Sequence, residues 1–175
     1  MASVLDKYLQ WCTIAVNGVA AATGNVIARL TTGISNLQKV AWAVRRVEWD
    51  FPPVWISEGI LIVPQDHISL ALTNSSDVNQ SPNFANPALL DLMRTCGRRF
   101  MTGVGLSPVI HLPIVHDFSD DILMLPQNVY LYLGWSVSGA LTTAAASCRV
   151  WYREVELGPA DWYDLLQLRL PLGAI

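Results

Sequence analysis

Two apolar stretches in the last third of the chain constrain its fold more than any other feature. They lie in residues 128–157, NVYLYLGWSVSGALTTAAASCRVWYREVEL, and apolar side chains recur in them at every second position. The recurring residues of the first stretch are Val129, Leu131, Leu133, Trp135 and Val137. Because successive side chains of a β-strand point to opposite faces, this period predicts long strands with one buried face. We interpret the two stretches as a hairpin closed by a loop of small residues.

The same strand-like pattern occurs earlier in the chain. It appears in NVIARLTTGIS, residues 25–35, and again in VAWAVRRVEWDF, residues 40–51, where two prolines end it. Further on, GILIV (59–63) and HISLALT (67–73) flank a Pro-Gln-Asp sequence. These segments predict further strands separated by turns.

Three helices are also expected. PALLDLMRTCGRRF, residues 87–100, follows a polar loop and begins with a proline, which suits the first helical position. Its apolar residues share one helical face, and they are Leu89, Leu92, Met93 and Cys96. Residues 3–12 and 158–169 predict short amphipathic helices near the two ends of the chain.

These elements predict an all-β protein: a single jelly-roll β-sandwich of about eight antiparallel strands, with a short helix in a long crossover loop and short terminal helices. The expected divisions are an N-terminal arm or short helix (1–24), a jelly-roll domain (25–157) with a loop and helix insertion (74–100), and a C-terminal short helix and tail (158–175). No alternation of strands and helices suggests a parallel α/β fold.

The chain has few ionic groups with which to cover a surface. Hydrophobic residues make up 52% of the sequence and charged residues 14%, against about 25% charged residues in typical globular domains. Two explanations remain open. Much of the surface is buried against other subunits, or a compact barrel is covered by Ser, Thr, Asn and Gln.

Charge and cysteine content argue against several classes of function. The net charge is −3 and there is no arginine-rich arm, so direct sequence-specific binding of nucleic acid is not expected. Cys12, Cys96 and Cys148 are odd in number and widely spaced, which disfavours a disulfide framework or a zinc ribbon. Buried thiols in a reducing compartment are the simplest interpretation.

Two segments resemble a known class of coat protein. In RVWYREVELGPADWYDLL, residues 149–166, a long strand passes into a short acidic and aromatic helix. In VHDFSDDILMLPQNVYLYLGW, residues 115–135, an acidic turn, a short strand and a proline precede a long aromatic strand. This order, over about residues 107–167, resembles the C-terminal half of the single vertical jelly-roll major capsid proteins. Those proteins coat icosahedral viruses with an internal membrane, which infect thermophilic bacteria and archaea.

The resemblance implies a non-enzymatic coat subunit of a virion, without cofactors. Such a subunit would be made in the host cytoplasm and would bind copies of itself and other virion proteins, with an internal membrane beneath the shell. The missing basic arm fits this branch, in which the shell need not neutralise a genome. Two alternatives remain: a carbohydrate-binding β-sandwich module of a phage fibre or a secreted lectin-like protein, and a cupin-like metal enzyme.

A metal enzyme would depend on a few weak candidate ligands. They are His111, His116, Asp117, Asp120 and Asp121. The two histidines suit zinc or iron, and the clustered carboxylates suit calcium at a subunit junction. On a straight strand the histidines would lie on opposite faces, since they are five residues apart. DFSDD, residues 117–121, is more simply a solvated turn.

A sugar-binding module would depend on tryptophan side chains. Aromatic rings stack on sugars, but rings spread over many strands more often fill a core or an interface. The residues in question are Trp42, Trp49, Trp55, Trp135, Trp151 and Trp162.

Overall fold

Eight strands and one helix form most of the chain that the structure describes. The computed structural model describes residues 9–18, 23–35, 38–50, 67–76, 89–96, 114–136 and 144–169. The strands are β1 (Gln10–Gly18), β2 (Thr23–Leu30), β3 (Val40–Asp50), β4 (His67–Thr73), β5 (Leu89–Cys96), β6 (Ile114–Met124), β7 (Val129–Ser136) and β8 (Ala144–Glu156). Helix α1 spans Pro159–Arg169. The all-β prediction is therefore confirmed.

The strands form two antiparallel sheets with the connectivity of a jelly roll. One sheet has the order β1-β8-β3-β6 and the other the order β2-β7-β4-β5. The first four strands each pair with one of the last four: β1 with β8, β2 with β7, β3 with β6 and β4 with β5. An antiparallel ribbon of this kind, wound into a two-sheet sandwich, is a jelly roll. The predicted eight-stranded sandwich is confirmed.

The predicted hairpin between residues 128 and 157 is wrong. β7 pairs with β2 and β4, whereas β8 pairs with β1 and β3, so the two strands belong to opposite sheets. Alternation identifies the buried face of a strand but does not identify its hydrogen-bonded partner. Both strands direct their apolar faces into the same core, and that is why their sequences look like the arms of one hairpin.

The core lies between the two sheets and contains the alternating residues that the sequence indicates. Buried residues of β3, β7 and β8 contribute most of it, including Trp42, Val44, Val129, Leu131, Leu133, Trp135, Val150 and Tyr152. Trp42 and Tyr152 stack with their ring centroids 3.8 Å apart. Val137 of the predicted pattern lies outside the described residues, as does GILIV at 59–63.

The helix predicted over residues 87–100 is wrong where the structure describes it. Leu89–Cys96 form β5, an edge strand that pairs with β4. The sequence LLDLMRTC satisfies helical spacing, but pairing with a buried strand overrides this local preference. Leu72 pairs with Asp91 and Thr73 pairs with Leu89, which leaves Leu90 as an extra residue in a β-bulge.

The N-terminal arm is part of the sandwich. β1 begins at Gln10, so the helix predicted over residues 3–12 is wrong for its last three residues, and residues 1–8 lie outside the described chain. Ile14 and Val16 are buried, whereas Thr13 and Ala15 are exposed. This period of two is that of a strand, and it places the start of the jelly roll before the predicted boundary at residue 25.

The predicted C-terminal helix is confirmed as α1. Pro159 occupies its first position, and Trp162 and Leu165 are buried against Ala41 and Leu125 in a second, smaller core. Arg169 in the last turn donates through Nε to the carbonyl oxygen of Leu123 at 3.1 Å. The helix thereby covers the outer side of the sheet where β3 begins. The predicted tail lies outside the described residues from residue 170 onward.

Candidate interaction surface

One side of the β1-β8-β3-β6 sheet points away from the core and is called here the outer face. It carries both aromatic and ionic side chains. The strand register aligns Trp11, Trp151, Arg46 and Asp117 in one row across the four strands. The neighbouring row contains Thr13, Arg149, Glu48 and Val115. Aromatic residues therefore lie on the β1 side of this face, and ionic residues lie toward β6.

Trp11 is the most prominent member of the aromatic side. It is 56% exposed, and its ring centroid lies 6.4 Å from that of Trp151 at a tilted angle of 48°. The guanidinium carbon of Arg149 lies 4.9 Å from the centroid of the Trp11 ring, a distance that allows a cation–π interaction. An exposed tryptophan supported by a second tryptophan and an arginine has the composition of a protein-interface hot spot.

Ion pairs continue from Arg149 across the outer face. Arg149 Nη1 lies 3.2 Å from Glu48 Oε2, and Arg46 lies 4.0 Å from Glu48 and 2.5 Å from Asp117. Exposed pairs of this kind contribute only about 0–1 kcal/mol each to stability. They bias the long side chains toward one arrangement, which lowers the conformational entropy lost when a partner binds.

The acidic segment DFSDD is part of β6, so the predicted solvated turn is wrong. Val44 pairs with Ile122 and Arg46 pairs with Asp117, so the four residues 118–121 lie opposite the single residue Arg45. Arg45 Nη1 donates to the carbonyl oxygen of Ser119 at 2.7 Å. The irregular sequence is thus accommodated by a four-residue bulge within a continuous strand.

The candidate metal ligands predicted from the sequence contact different partners. His116 contacts Asp91, Asp117 contacts Arg46, and Asp121 lies 2.6 Å from Arg153. The remaining two are Asp120, which is exposed, and His111, which lies outside the described residues. Within the described part of the chain, no three His, Cys, Asp or Glu side chains are grouped as metal ligands would be. Among the described residues, the structure therefore does not group His116 with Asp117, Asp120 and Asp121 as ligands of one metal ion.

A polar cluster on the inner side of the sandwich was missed because its central residue lies in the mispredicted helix. Asp91 of β5 is opposite the fully buried Leu72, and so points into the space between the sheets. Its Oδ2 accepts a hydrogen bond from Trp49 Nε1 at 2.8 Å, and both of its oxygens lie within 2.9 Å of His116 Nδ1. This Asp91 cluster joins β5 to β3 and β6, the strands of the opposite sheet.

Of the three thiols predicted to be buried, the structure describes two, and one of these is fully buried. Cys148 is fully buried and Cys12 is half-buried, and both are free thiols on the inner face. Burial raises the pKa of Cys12 to about 11, although a backbone hydrogen bond with Val150 opposes the shift. Burial also raises the pKa of Cys148, and the nearby Cys12 and Asp91 add to this shift. Nothing is described of the Cys96 side chain.

We expect both buried thiols to resist alkylation in the folded protein. At pH 8 a thiol of pKa 11 is about 0.1% thiolate, against roughly 25% for an ordinary cysteine. Iodoacetamide should therefore modify folded Cys96→Ser protein at least about 100-fold more slowly than the same protein in urea. Mass spectrometry of the modified peptides measures both rates. Equal rates before and after unfolding would contradict this account of Cys12 and Cys148.

Most of the tryptophans proposed for sugar stacking are inaccessible. Trp42, Trp49, Trp135 and Trp162 are all buried, and a buried ring cannot stack on a sugar. Trp151 is half-buried beneath Trp11, and Trp55 lies outside the described residues. The core interpretation is therefore confirmed for four of the six. Trp11 was not among the six, although the alternation in QWCTIAVN indicates that it faces away from the core.

Comparison with known proteins adds no functional assignment. The chain matches no protein-family model, and no curated protein is significantly similar to it. The described residues contain no helix whose length and hydropathy would allow it to cross a membrane.

Proposed function

We propose that this protein is a structural coat subunit that associates with copies of itself to build a viral shell. The main support for the proposal is the arrangement of the outer face. There the exposed Trp11 lies beside Trp151 and Arg149 on a regular sheet. Tryptophan and arginine are the residues most enriched at the energetic centres of protein interfaces. A fixed sheet presents them with little loss of entropy on binding.

Composition supports the same proposal. A chain with 52% hydrophobic and 14% charged residues lowers its free energy when part of its surface is buried against other subunits. A jelly roll alone does not decide function, since capsid, lectin and cupin domains share it. The buried tryptophans disfavour a sugar-binding groove. The dispersed contacts of His116, Asp117 and Asp121 disfavour a cupin-like metal site.

The proposed partners are copies of this chain and other proteins of the virion. Negative-stain electron microscopy of the purified full chain tests the proposal. We expect capsomers or closed particles of uniform size, formed without added sugar or metal. Irregular aggregates, or particles that form only with a sugar or a metal, would contradict it.

We expect Trp11→Ala to weaken self-association without unfolding the protein. Removal of an interface tryptophan should raise the dissociation constant about tenfold or more. The free energy of unfolding should fall by no more than about 1–2 kcal/mol, because the residue is 56% exposed and loses only its contacts with Trp151 and Arg149. Sedimentation over a concentration series measures the first quantity, and urea unfolding measures the second.

Tyr163→Ala is the matched control for Trp11→Ala. Tyr163 is also an exposed aromatic residue, 64% accessible, but it lies on α1 rather than on the sheet. We expect it to leave the dissociation constant unchanged. If Tyr163→Ala weakened association as much as Trp11→Ala, a nonspecific loss of apolar surface would explain both results.

A further inference from the structure

The edge strand β1 lacks the features that prevent edge strands from pairing with other chains. Its sequence, QWCTIAVNG, contains no charged residue and no proline. It pairs with β8 in unbroken register from Gln10 to Gly18, without a bulge. Within the described residues it is hydrogen-bonded on that side only. A long, regular and uncharged edge is a template for another strand.

The other edges of the sandwich are guarded. β6, at the other edge of the same sheet, carries three aspartates and the four-residue bulge that faces Arg45. In the other sheet, β5 has a bulge at Leu90 as well as Asp91, and β2 carries Arg29. Charges and bulges on edge strands are the usual means of preventing edge-to-edge association. Among the four described edges, β1 alone has neither.

We propose that β1 pairs antiparallel with β1 of a second copy of this chain, which joins two four-stranded sheets into one of eight strands. The inference rests on the proposed function, since it names a contact by which coat subunits would associate. Antiparallel pairing of a strand with itself is symmetric about a twofold axis, so that one patch serves both subunits. Because β1 carries no charge, a second copy brings no like charges into opposition.

The alternation of β1 limits the register of this pairing. Cys12, Ile14 and Val16 face the core, and Thr13 and Ala15 are exposed. A twofold axis at Ile14 places core-facing residues opposite core-facing residues, and Thr13 opposite Ala15 of the second copy. A shift by one residue would place core-facing side chains opposite exposed ones, so it is disfavoured. The axis at Ile14 also leaves Trp11 on the continuous outer face.

Two added charges test this pairing. Thr13→Lys combined with Ala15→Lys places four lysines side by side across the twofold axis, and like charges directly opposite one another destabilise strand pairing. We expect the light-scattering mass of the full chain to fall at least twofold under conditions in which the wild type is associated. The matched control is Thr23→Lys combined with Asn25→Lys, which has the same spacing on exposed positions of β2 and should leave the mass unchanged.

Amide hydrogen exchange provides a readout that does not require a variant to fold. Backbone N–H groups of β1 that point away from β8 should exchange slowly in the associated wild type and faster after dilution to monomer. Fast exchange of these groups in the associated state would overturn the pairing. A Thr13→Lys, Ala15→Lys variant that associates to the wild-type mass would also overturn the pairing. The coat proposal would still stand in that case. A wild type that is monomeric at every concentration would overturn both.

Discussion

Replacement of Asp91 by alanine is expected to lower the free energy of unfolding by about 2–4 kcal/mol. The carboxylate accepts a hydrogen bond from Nε1 of Trp49, a residue that is 0% exposed, and it contacts His116. Alanine would leave the indole N–H of this buried residue without its acceptor. A buried donor without a partner costs about 1–3 kcal/mol, and the loss of the His116 contact adds to this cost.

Two further variants distinguish the Asp91 cluster from a general effect of charge. Asp91→Asn retains an acceptor for Trp49, so it should restore at least half of the stability lost in Asp91→Ala. Asp120→Ala removes an exposed carboxylate from β6 and should change the free energy of unfolding by less than about 0.5 kcal/mol. Urea unfolding at one protomer concentration measures all three, because association itself adds to apparent stability. A wild-type midpoint for Asp91→Ala would refute the structural role of the cluster.

Asn74→Ala is expected to have an effect of similar size, about 3 kcal/mol. Asn74 is 1% exposed and lies just after β4. Its Nδ2 donates to the carbonyl oxygens of Leu125 and Asn128, and its Oδ1 accepts from the Leu125 N–H at 3.1 Å. These bonds fix the turn between β6 and β7 against the end of β4, the strand that pairs with β7 in the same sheet. Alanine removes all three bonds at a site closed to solvent.

The neighbouring residues supply controls for Asn74. Asn74→Asp keeps an acceptor for the Leu125 N–H but turns an oxygen toward two carbonyl groups, so the loss should be at least as large as for alanine. Ser76→Ala alters an exposed residue two positions away and should be neutral within about 0.5 kcal/mol. Urea unfolding of the set measures the differences. If Asn74→Asp were as stable as the wild type, the two donated hydrogen bonds would not matter.

Strand patterns and the C-terminal helix were predictable because their signals are local. Alternation in β3, β7 and β8 identifies their buried faces without reference to any partner. The proline at the start of α1 and the spacing of Trp162 and Leu165 likewise report on a single helix. In these elements the predicted secondary structure and the predicted core-facing residues were confirmed. Ala41, Ala43 and Tyr132, on the opposite faces of β3 and β7, are buried as well, which the alternation did not indicate.

The wrong predictions concern features that depend on distant residues. LLDLMRTC fits a helix locally, and becomes β5 because β4 offers it an edge. β7 and β8 are joined by a short connection, yet each pairs with strands that end more than 50 residues earlier. The Asp91 cluster likewise joins residues 42 and 25 positions apart. No local pattern encodes these contacts, because each depends on how the ribbon of strands is wound.

The central claim, that this jelly roll is a self-associating coat subunit, is tested most directly by the absolute mass of the purified full chain in solution. Light scattering coupled to size-exclusion chromatography measures that mass without assumptions about shape. The account predicts discrete multiples of the 19.3 kDa subunit, present without sugar or metal and reduced by substitutions in β1. A single species of 19.3 kDa at the highest attainable concentration would contradict the account.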